Sequence, residues 1–206
     1  ALKMYQEIIG SHTADPEAVI GFSQKSLREI ERMEAVVYTL LKLARLDAGM
    51  IQMQKTPENI DTLMQDVLER FEVRAEQEGK VITLSGNKDV SLSCDALWIS
   101  EAVGNIVKNA LDHTGSGGRI NISWEQGAII TKIVIEDNGT GICPEDLYHI
   151  FKRFYRSRFS QDTQGIGLGL PLAKSIVELH GGTISVASRL HTGTAFTLSF
   201  FHLTNE

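Results

Sequence analysis

Two asparagines and a histidine recur at four-residue spacing in the segment NIVKNALDH, as Asn105, Asn109 and His113. Residues four apart lie on one face of a helix. The rest of this segment is mostly apolar, so buried amides there need polar partners. Amide oxygens can bind Mg²⁺ together with water and phosphate oxygens. The spacing therefore predicts either a metal and phosphate site or two asparagines that face solvent or cap a loop.

A second pattern is the segment Asp137-Asn138-Gly139-Thr140-Gly141, which follows an apolar predicted strand. A carboxylate at a strand end can accept a hydrogen bond from an exocyclic amine such as that of adenine. Glycines also let the backbone approach a flat ring. Asn-Gly is a common turn dipeptide as well, so the segment alone predicts either a base-binding loop or an ordinary turn.

Three glycines alternate in the segment GIGLGL, residues 165–170, directly before a predicted helix. Backbone amides at a helix start can bind phosphate. The segment is not a Walker A loop, because no Gly-Lys-Ser/Thr follows. It is not a dinucleotide-binding fingerprint either, because the preceding residues are polar. It predicts a phosphate loop or a flexible hinge.

The segment FKRFYRS, residues 151–157, combines aromatic residues with cations. Phe151 and Phe154 are three apart and can anchor one face. Arg153 and Arg156 project elsewhere and could bind phosphate. For this segment alone, a surface helix end with two solvated arginines is the simpler interpretation.

The elements that must position these segments fall into two parts, of which the first is helical. Residues 1–9 form a short amphipathic helix, Asp15-Pro16 starts a longer one, and Gly49 ends it. Along the longer helix apolar residues recur at spacings of three and four, as in a coiled coil. These residues are Leu27, Ile30, Met33, Val37, Leu40 and Ala44. The pattern predicts a helical hairpin that packs either on its own chain or, as the helix length favours, on a second copy in a four-helix bundle.

From Thr56-Pro57 onwards the pattern is mixed α and β. Helices are predicted over 60–78, over 95–113 and from Gly167 to the glycines at 181–182. Short strands are predicted over 81–85 and 90–94, and strand hairpins over 119–137 and 182–201. We therefore predict an α+β fold. A helical hairpin of residues 1–55 precedes an α/β sandwich of residues 56–206.

Composition limits the classes of function. The chain has 206 residues, 20 basic and 26 acidic, and a net charge of −6. This balance argues against a nucleic-acid surface, but not against a nucleotide held by backbone amides. Cys94 and Cys143 are far apart and predict neither a disulfide framework nor a zinc site. We expect a cytoplasmic segment, because no membrane helix or signal peptide is present, and a segment of a longer protein, because the chain begins inside a helix; these residues leave a membrane anchor in the longer protein open.

Taken in order, the four segments resemble the N box, first glycine box, F box and second glycine box of sensor histidine kinases of two-component systems. They stand here as NIVKNALDHT, DNGTGI, FKRFYRS and GIGLGL, followed by HGGTISVAS and GTAF as in that family. The earlier segment LLKLARLDAG resembles the end of the family's dimerisation helix. The resemblance implies a dimerisation and phosphotransfer hairpin followed by a catalytic domain of the Bergerat type, with ATP and Mg²⁺ as cofactors.

The resemblance also implies a role for each matched position. The positions that would surround the adenine are Asp137, Gly139, Gly141 and His113. Those that would bind Mg²⁺ are Asn109 and Asn105. Those that would approach the ribose and phosphates are Tyr155, Arg156, Gly165, Gly167, Leu168 and Gly169. Asn105 and Arg156 would take part in catalysis, and residues 157–164 would form a mobile lid over ATP.

The chain departs from the family at the phosphoacceptor. No box similar to S-H-E-x-x-T-P-L is present. Ser11-His12-Thr13 has no acid after His12 and lies in the predicted turn after the first helix. The resemblance therefore implies that the phosphorylated histidine lies about two helical turns before Ala1.

Three functions are compatible with these motifs. The chain could be part of a histidine kinase that phosphorylates a histidine for relay to an aspartate, an ATP hydrolase of the same fold, or a non-catalytic dimerisation module. In the hydrolases a Glu stands at position 105 and activates water. Asn105 lacks a basic carboxylate, which favours the kinase. We expect a homodimer through the helical hairpin and a response regulator receiver domain as partners.

Overall fold

The computed structural model describes residues 2–10, 16–157 and 165–202. The chain divides into two compact units, Ala1–Lys42 and Leu43–Glu206. The helices are α1 (Leu2–Ile9), α2 (Pro16–Asp47), α3 (Ile60–Gln77), α4 (Ala96–His113), α5 (Pro144–Leu147) and α6 (Gly169–Leu179). The strands are β1 (Thr56–Asn59), β2 (Val81–Gly86), β3 (Ser91–Cys94), β4 (Arg119–Gln126), β5 (Ile130–Asp137), β6 (Gly182–Arg189) and β7 (Gly193–Phe201).

The first unit contains α1 and most of α2. Pro16 is the first residue of α2, where its fixed φ and missing N–H suit a helix start. The rings of Tyr5 and Phe22 lie 5.6 Å apart, centroid to centroid, and join the two helices. The predicted helical hairpin is therefore confirmed. Large apolar side chains on α2 are more than two-fifths exposed, namely Ile20, Leu27, Ile30, Met33 and Val37.

The second unit is built on a five-stranded sheet with the order β2-β4-β5-β7-β6. Among the described strands of this sheet only β2 and β4 pair in parallel, and the other pairs are antiparallel. Both predicted strand hairpins, β4–β5 and β6–β7, are present. Strands β2 and β3 follow each other in sequence but lie in different sheets, because β3 pairs with β1 instead.

One face of the large sheet is apolar and covered by helices. Alternate residues of β4, β5 and β7 are buried, and the register places them in shared rows such as Ile122–Ile135–Phe196. Helices α3, α4 and α6 pack on this sheet. The α/β sandwich predicted from the sequence is therefore confirmed. The end of α2 belongs to this unit, where Leu43 and Leu46 are buried.

The start of α4 is hydrogen-bonded to the end of α6. Asp95 is the N-cap of α4, and its side chain accepts from the Trp98 amide at 3.4 Å. The Asp95 amide in turn donates to Nε2 of His180 at 3.1 Å, and His180 Nδ1 lies 2.8 Å from the Ile176 carbonyl oxygen. Burial lowers the pKa of His180, which favours the neutral ring that this bonding pattern requires.

Candidate functional site

The carboxylate of Asp137 lies at the end of β5 on the face that the helices cover. Asp137 is only 6% exposed, and its Oδ1 accepts a hydrogen bond from the Gly139 amide at 2.8 Å. Burial raises the pKa of Asp137, while the bond from Gly139 and the nearby His113 oppose that rise. A carboxylate has further lone pairs beyond the one that Gly139 uses. This group can therefore accept a hydrogen bond from a ligand amine.

The loop after Asp137 is held tightly between α4 and the β6–β7 turn. A Cβ on Gly139 would lie 2.3 Å from the carbonyl oxygen of His113, and a Cβ on Gly141 would lie 2.1 Å from that of Arg189. Gly141 also has a φ of +68°, which favours glycine. The Thr140 amide donates to the His113 carbonyl at 3.0 Å. The structure thus brings His113, Gly139 and Gly141 together with Asp137, as the motifs predict.

Asn105 lies beside the start of α6. Its Nδ2 donates to the Glu101 carbonyl at 2.9 Å, and a Cβ on Gly169 would lie 2.9 Å from its Oδ1. The missing side chain at Gly169 therefore leaves space for the amide oxygen. Asn109 lies one turn further along α4 and is also half-buried. The first asparagine and the second glycine segment thus form one side of the site.

The start of α6 presents backbone N–H groups without a side-chain cap. Leu168 is the N-cap, makes no side-chain cap hydrogen bond, and is followed by no acidic residue in the first turn. The first N–H groups of a helix lack intrahelical acceptors and carry partial positive charge. This end of α6 can bind an anion such as phosphate.

The aromatic segment 151–157 supports the second glycine segment through its backbone. The Phe154 amide donates to the Gly167 carbonyl at 2.9 Å. Gly167 has a φ of +72°, and a Cβ there would lie 2.4 Å from the Tyr155 carbonyl oxygen. Phe151 packs edge-on against Phe196, with centroids 6.3 Å apart. This segment forms turns rather than the helix end considered above.

Polar side chains of this segment make contacts that the sequence did not predict. The Tyr155 hydroxyl donates to Oδ1 of the buried Asp146 at 2.5 Å. Arg153 makes two hydrogen bonds to the carboxylate of Asp47, at the end of α2. Arg156 is exposed and Gly165 is half-buried. The predicted lid, residues 157–164, lies outside the described residues from 158 onwards.

Thr194 and Ser188 are two site residues that the sequence interpretation missed. Thr194 pairs with Asp137 across β5 and β7 and is 6% exposed. Ser188 pairs with Thr194, and their hydroxyl oxygens are 2.9 Å apart. Ser188 is the last residue of the segment HGGTISVAS, and Thr194 is the second residue of GTAF. The β6–β7 turn was a signal that could have placed Ser188 beside Thr194, whereas the pairing of Thr194 with Asp137 joins strands that are distant in sequence.

Residues 2–10, 16–157 and 165–202 contain no group of three His, Cys, Asp or Glu side chains that could hold a metal ion. Burial raises the pKa of the Cys94 thiol to about 12, so this thiol stays protonated. Within the same residues no helix has the length and apolar character needed to cross a membrane.

The sequence and the fold both have recognised relatives. The family described as "Histidine kinase-, DNA gyrase B-, and HSP90-like ATPase" matches residues 94–205. The sensor protein kinase PmrB of Pseudomonas aeruginosa is 37% identical over 183 residues, which cover 88% of this chain and 38% of that protein. The chain spans less than half the length of this and other curated relatives that it matches.

Two solved structures share the fold over almost the whole chain. The Acinetobacter baumannii histidine kinase AdeS has a TM-score of 0.80 at 23% identity, covering 98% of this chain and 94% of AdeS. The histidine kinase ThkA, solved in complex with the response regulator protein TrrA, has a TM-score of 0.80 at 22% identity, covering 97% of this chain and 56% of ThkA. At these identities the likeness concerns the fold.

Proposed function

This chain belongs to the family of histidine kinase-, DNA gyrase B- and HSP90-like ATPases, and from that premise we propose that it is the ATP-binding catalytic portion of a sensor histidine kinase. The observation that carries the proposal is a set of contacts that links the four motif segments to one another. Asp137 and its glycine loop abut the end of α4, and Asn105 of α4 abuts Gly169 of α6. The named kinase relative PmrB supports this assignment.

The nucleotide would lie with its base at Asp137 and its phosphates at α6. The Asp137 carboxylate would accept from the adenine amine, with Gly139 and Gly141 against the ring and His113 beside it. The backbone from Gly165 to Gly169 would bind the phosphates through N–H groups. Tyr155 and Arg156 would approach the ribose and phosphates from the aromatic segment.

The two asparagines fit a role as Mg²⁺ ligands. Asn105 and Asn109 supply neutral amide oxygens on one face of α4, and Gly169 leaves the space into which Asn105 Oδ1 points. Mg²⁺ is usually held by few protein oxygens together with phosphate oxygens. When bound, it would neutralise charge on the phosphates during phosphoryl transfer. The asparagines would hold it next to the start of α6.

Position 105 favours a kinase over a hydrolase. A hydrolase needs a general base that takes a proton from water. Asn105 has no basic carboxylate, and its Nδ2 is used in the bond to the Glu101 carbonyl. Transfer to a positioned nucleophile depends mainly on orientation and charge neutralisation. In that reaction a histidine ring nitrogen forms the bond to the γ-phosphorus, the bond to the β-γ bridging oxygen breaks, and the ring loses a proton.

The assignment is tested with this chain, an ATP analogue and γ-labelled ATP. We expect Mg²⁺-dependent binding of the analogue, slow release of inorganic phosphate, and no acid-labile label on the protein, because the acceptor histidine is expected before Ala1. Steady phosphate release at rates typical of a turnover enzyme would instead support the hydrolase. Stoichiometric label on His12, a residue outside the described ones, would overturn the placement of the acceptor.

We also propose that the chain dimerises through α2. Leu27, Met33 and Val37 are each more than half exposed in one chain, and burial of such a side chain contributes roughly 1.5–3 kcal/mol. Replacing Val37 and Leu40 together by Glu would place four like charges at the dimer axis. We expect light scattering to show a dimer for the parent chain and a monomer for this variant, with ATP-analogue binding retained. A monomer of the parent chain at high concentration would contradict the proposal.

The remaining partners follow from the same assignment. We propose that the phosphorylated histidine passes its phosphoryl group to a response regulator receiver domain, as the solved complex of ThkA suggests. We also propose that the longer protein is anchored in the cell membrane, with this portion on the cytoplasmic side.

A further inference from the structure

A row of three polar side chains crosses the covered face of the sheet next to the glycine loop. Asp137 of β5 pairs with Thr194 of β7, and Thr194 pairs with Ser188 of β6. The next row on this face, Ile135–Phe196–Val186, is apolar. Polar groups at such a position are costly unless they are hydrogen-bonded. The hydrogen-bond partners of these three side chains therefore indicate their structural role.

Ser188 connects the row to the loop that follows Asp137. Its Oγ accepts a hydrogen bond from the Ile142 amide at 2.8 Å. The same Oγ lies 2.9 Å from the Gly193 carbonyl oxygen and 2.9 Å from Thr194 Oγ1. A hydroxyl has one proton to donate, so Ser188 donates to one of these oxygens while it accepts from Ile142. Its side chain is thus held from β7 and in turn holds the end of the loop.

The other contacts of the loop lie nearer its centre. The His191 amide donates to the Thr140 carbonyl at 2.7 Å, and the Thr140 amide donates to the His113 carbonyl at 3.0 Å. These bonds are made by backbone groups and do not depend on side-chain identity. At the start of the loop, the side chains of Asp137 and Asn138 accept from the Gly139 and Arg119 amides. At its end, the bond from the Ile142 amide to Ser188 depends on a side chain outside the loop, so a substitution on β6 can remove it.

We propose that Ser188 is a positioning residue for recognition of the adenine base. It fixes the end of the glycine loop through Ile142 and supports Asp137 through Thr194, without touching the base itself. This inference rests on the proposed function, in which Asp137 accepts from the adenine amine. Loss of the Ser188 hydroxyl therefore weakens the contact to the amine more than the contacts to the ribose and phosphates.

The inference is tested by comparing ADP with inosine diphosphate, which carries a carbonyl in place of the amine. The variants are Ser188→Ala, the hydroxyl-retaining Ser188→Thr, and the control Ser185→Ala, at an exposed position of the same strand. Calorimetry gives both affinities, and amide hydrogen exchange reports on Ile142. We expect Ser188→Ala to weaken ADP about tenfold, to change inosine diphosphate less than about twofold, and to speed Ile142 exchange. Ser188→Thr should restore the selectivity, and Ser185→Ala should behave as the parent.

The outcomes separate this inference from the proposed function. An equal loss of affinity for both nucleotides, or a lower melting temperature with unchanged ADP affinity, would mean that Ser188 is merely structural and would overturn the inference alone. Failure of the parent chain to bind either nucleotide would overturn the proposed function, and the inference with it. A lower ratio of ADP to inosine diphosphate affinity in Ser188→Ala supports both.

Discussion

Replacing Asp137 by Asn separates the binding role of this carboxylate from its role in the fold. The side chain is 6% exposed and accepts from the Gly139 amide through Oδ1. An amide oxygen can still accept that bond. The amide nitrogen, however, is a donor and cannot accept from the adenine amine. The variant should therefore keep the loop and lose the contact to the base.

The expected size of the effect follows from the kind of bond that is lost. A hydrogen bond to a charged group contributes about 1.5–3 kcal/mol. At about 1.4 kcal/mol per tenfold change, ADP affinity should fall by a factor of roughly 10 to 150. Because burial raises the pKa of Asp137 from its usual 3.8, the native fold favours the neutral carboxyl. The stabilising contribution of the carboxyl is present below pH 3.8 and is lost as the pH rises through the raised pKa.

The raised pKa of Asp137 leads to two expected results. At neutral pH the nucleotide-free Asp137→Asn variant should melt no lower than the parent, since a buried charge has been removed. In the parent, ADP affinity should decrease as the pH falls towards the raised pKa of Asp137, because the neutral carboxyl is the weaker acceptor. Calorimetry with ADP, thermal melts and the exposed control Asp89→Asn provide the test. Unchanged ADP affinity in a folded Asp137→Asn variant would refute the adenine contact.

Two further substitutions test close approaches. Gly86→Ala should destabilise the fold by about 1–3 kcal/mol, because its Cβ would lie 2.3 Å from the Trp124 ring. The control is Gly115→Ala, whose Cβ would meet nothing within 4 Å. Equal melting temperatures of the two variants would contradict this expectation. Gly169→Ala should displace the Asn105 amide, 2.9 Å from that Cβ, and weaken ATP-analogue binding about 10–100-fold with Mg²⁺. A similar loss in EDTA would argue against a metal role for this amide.

Local signals predicted most of the elements of the second unit. Asp95 caps α4 and Gly79, with a φ of +64°, follows α3, as expected where a capping residue or a glycine sits at a helix end. The two strand hairpins were predictable because their turns and alternating apolar residues are local. Strand β1 was not, since TPEN has no apolar residue and contains Pro57. Its assignment depends on pairing with β3, which is distant in sequence.

For the site, the motifs predicted which segments meet but not the contacts between them. The order of the boxes implied that Asn105 and the glycines at 165–169 share a site, and Asn105 does lie against Gly169. Arg153 was considered for phosphate, yet its guanidinium binds Asp47. An arginine pairs with whichever carboxylate the fold brings within reach, and Asp47 precedes Arg153 by 106 residues. Residue type alone does not determine such a partner.

The pairing of β5 with β7 has a consequence for the kinetics of folding. Each strand hairpin forms between neighbours in sequence, whereas Asp137 and Thr194 meet only when the two hairpins join. Contacts between distant segments form late because closing a long loop costs entropy first. We therefore expect the two hairpins to form before the folding transition state, and the nucleotide site to form after it. Bound nucleotide would then stabilise the chain chiefly by slowing its unfolding, with little effect on the rate at which it folds.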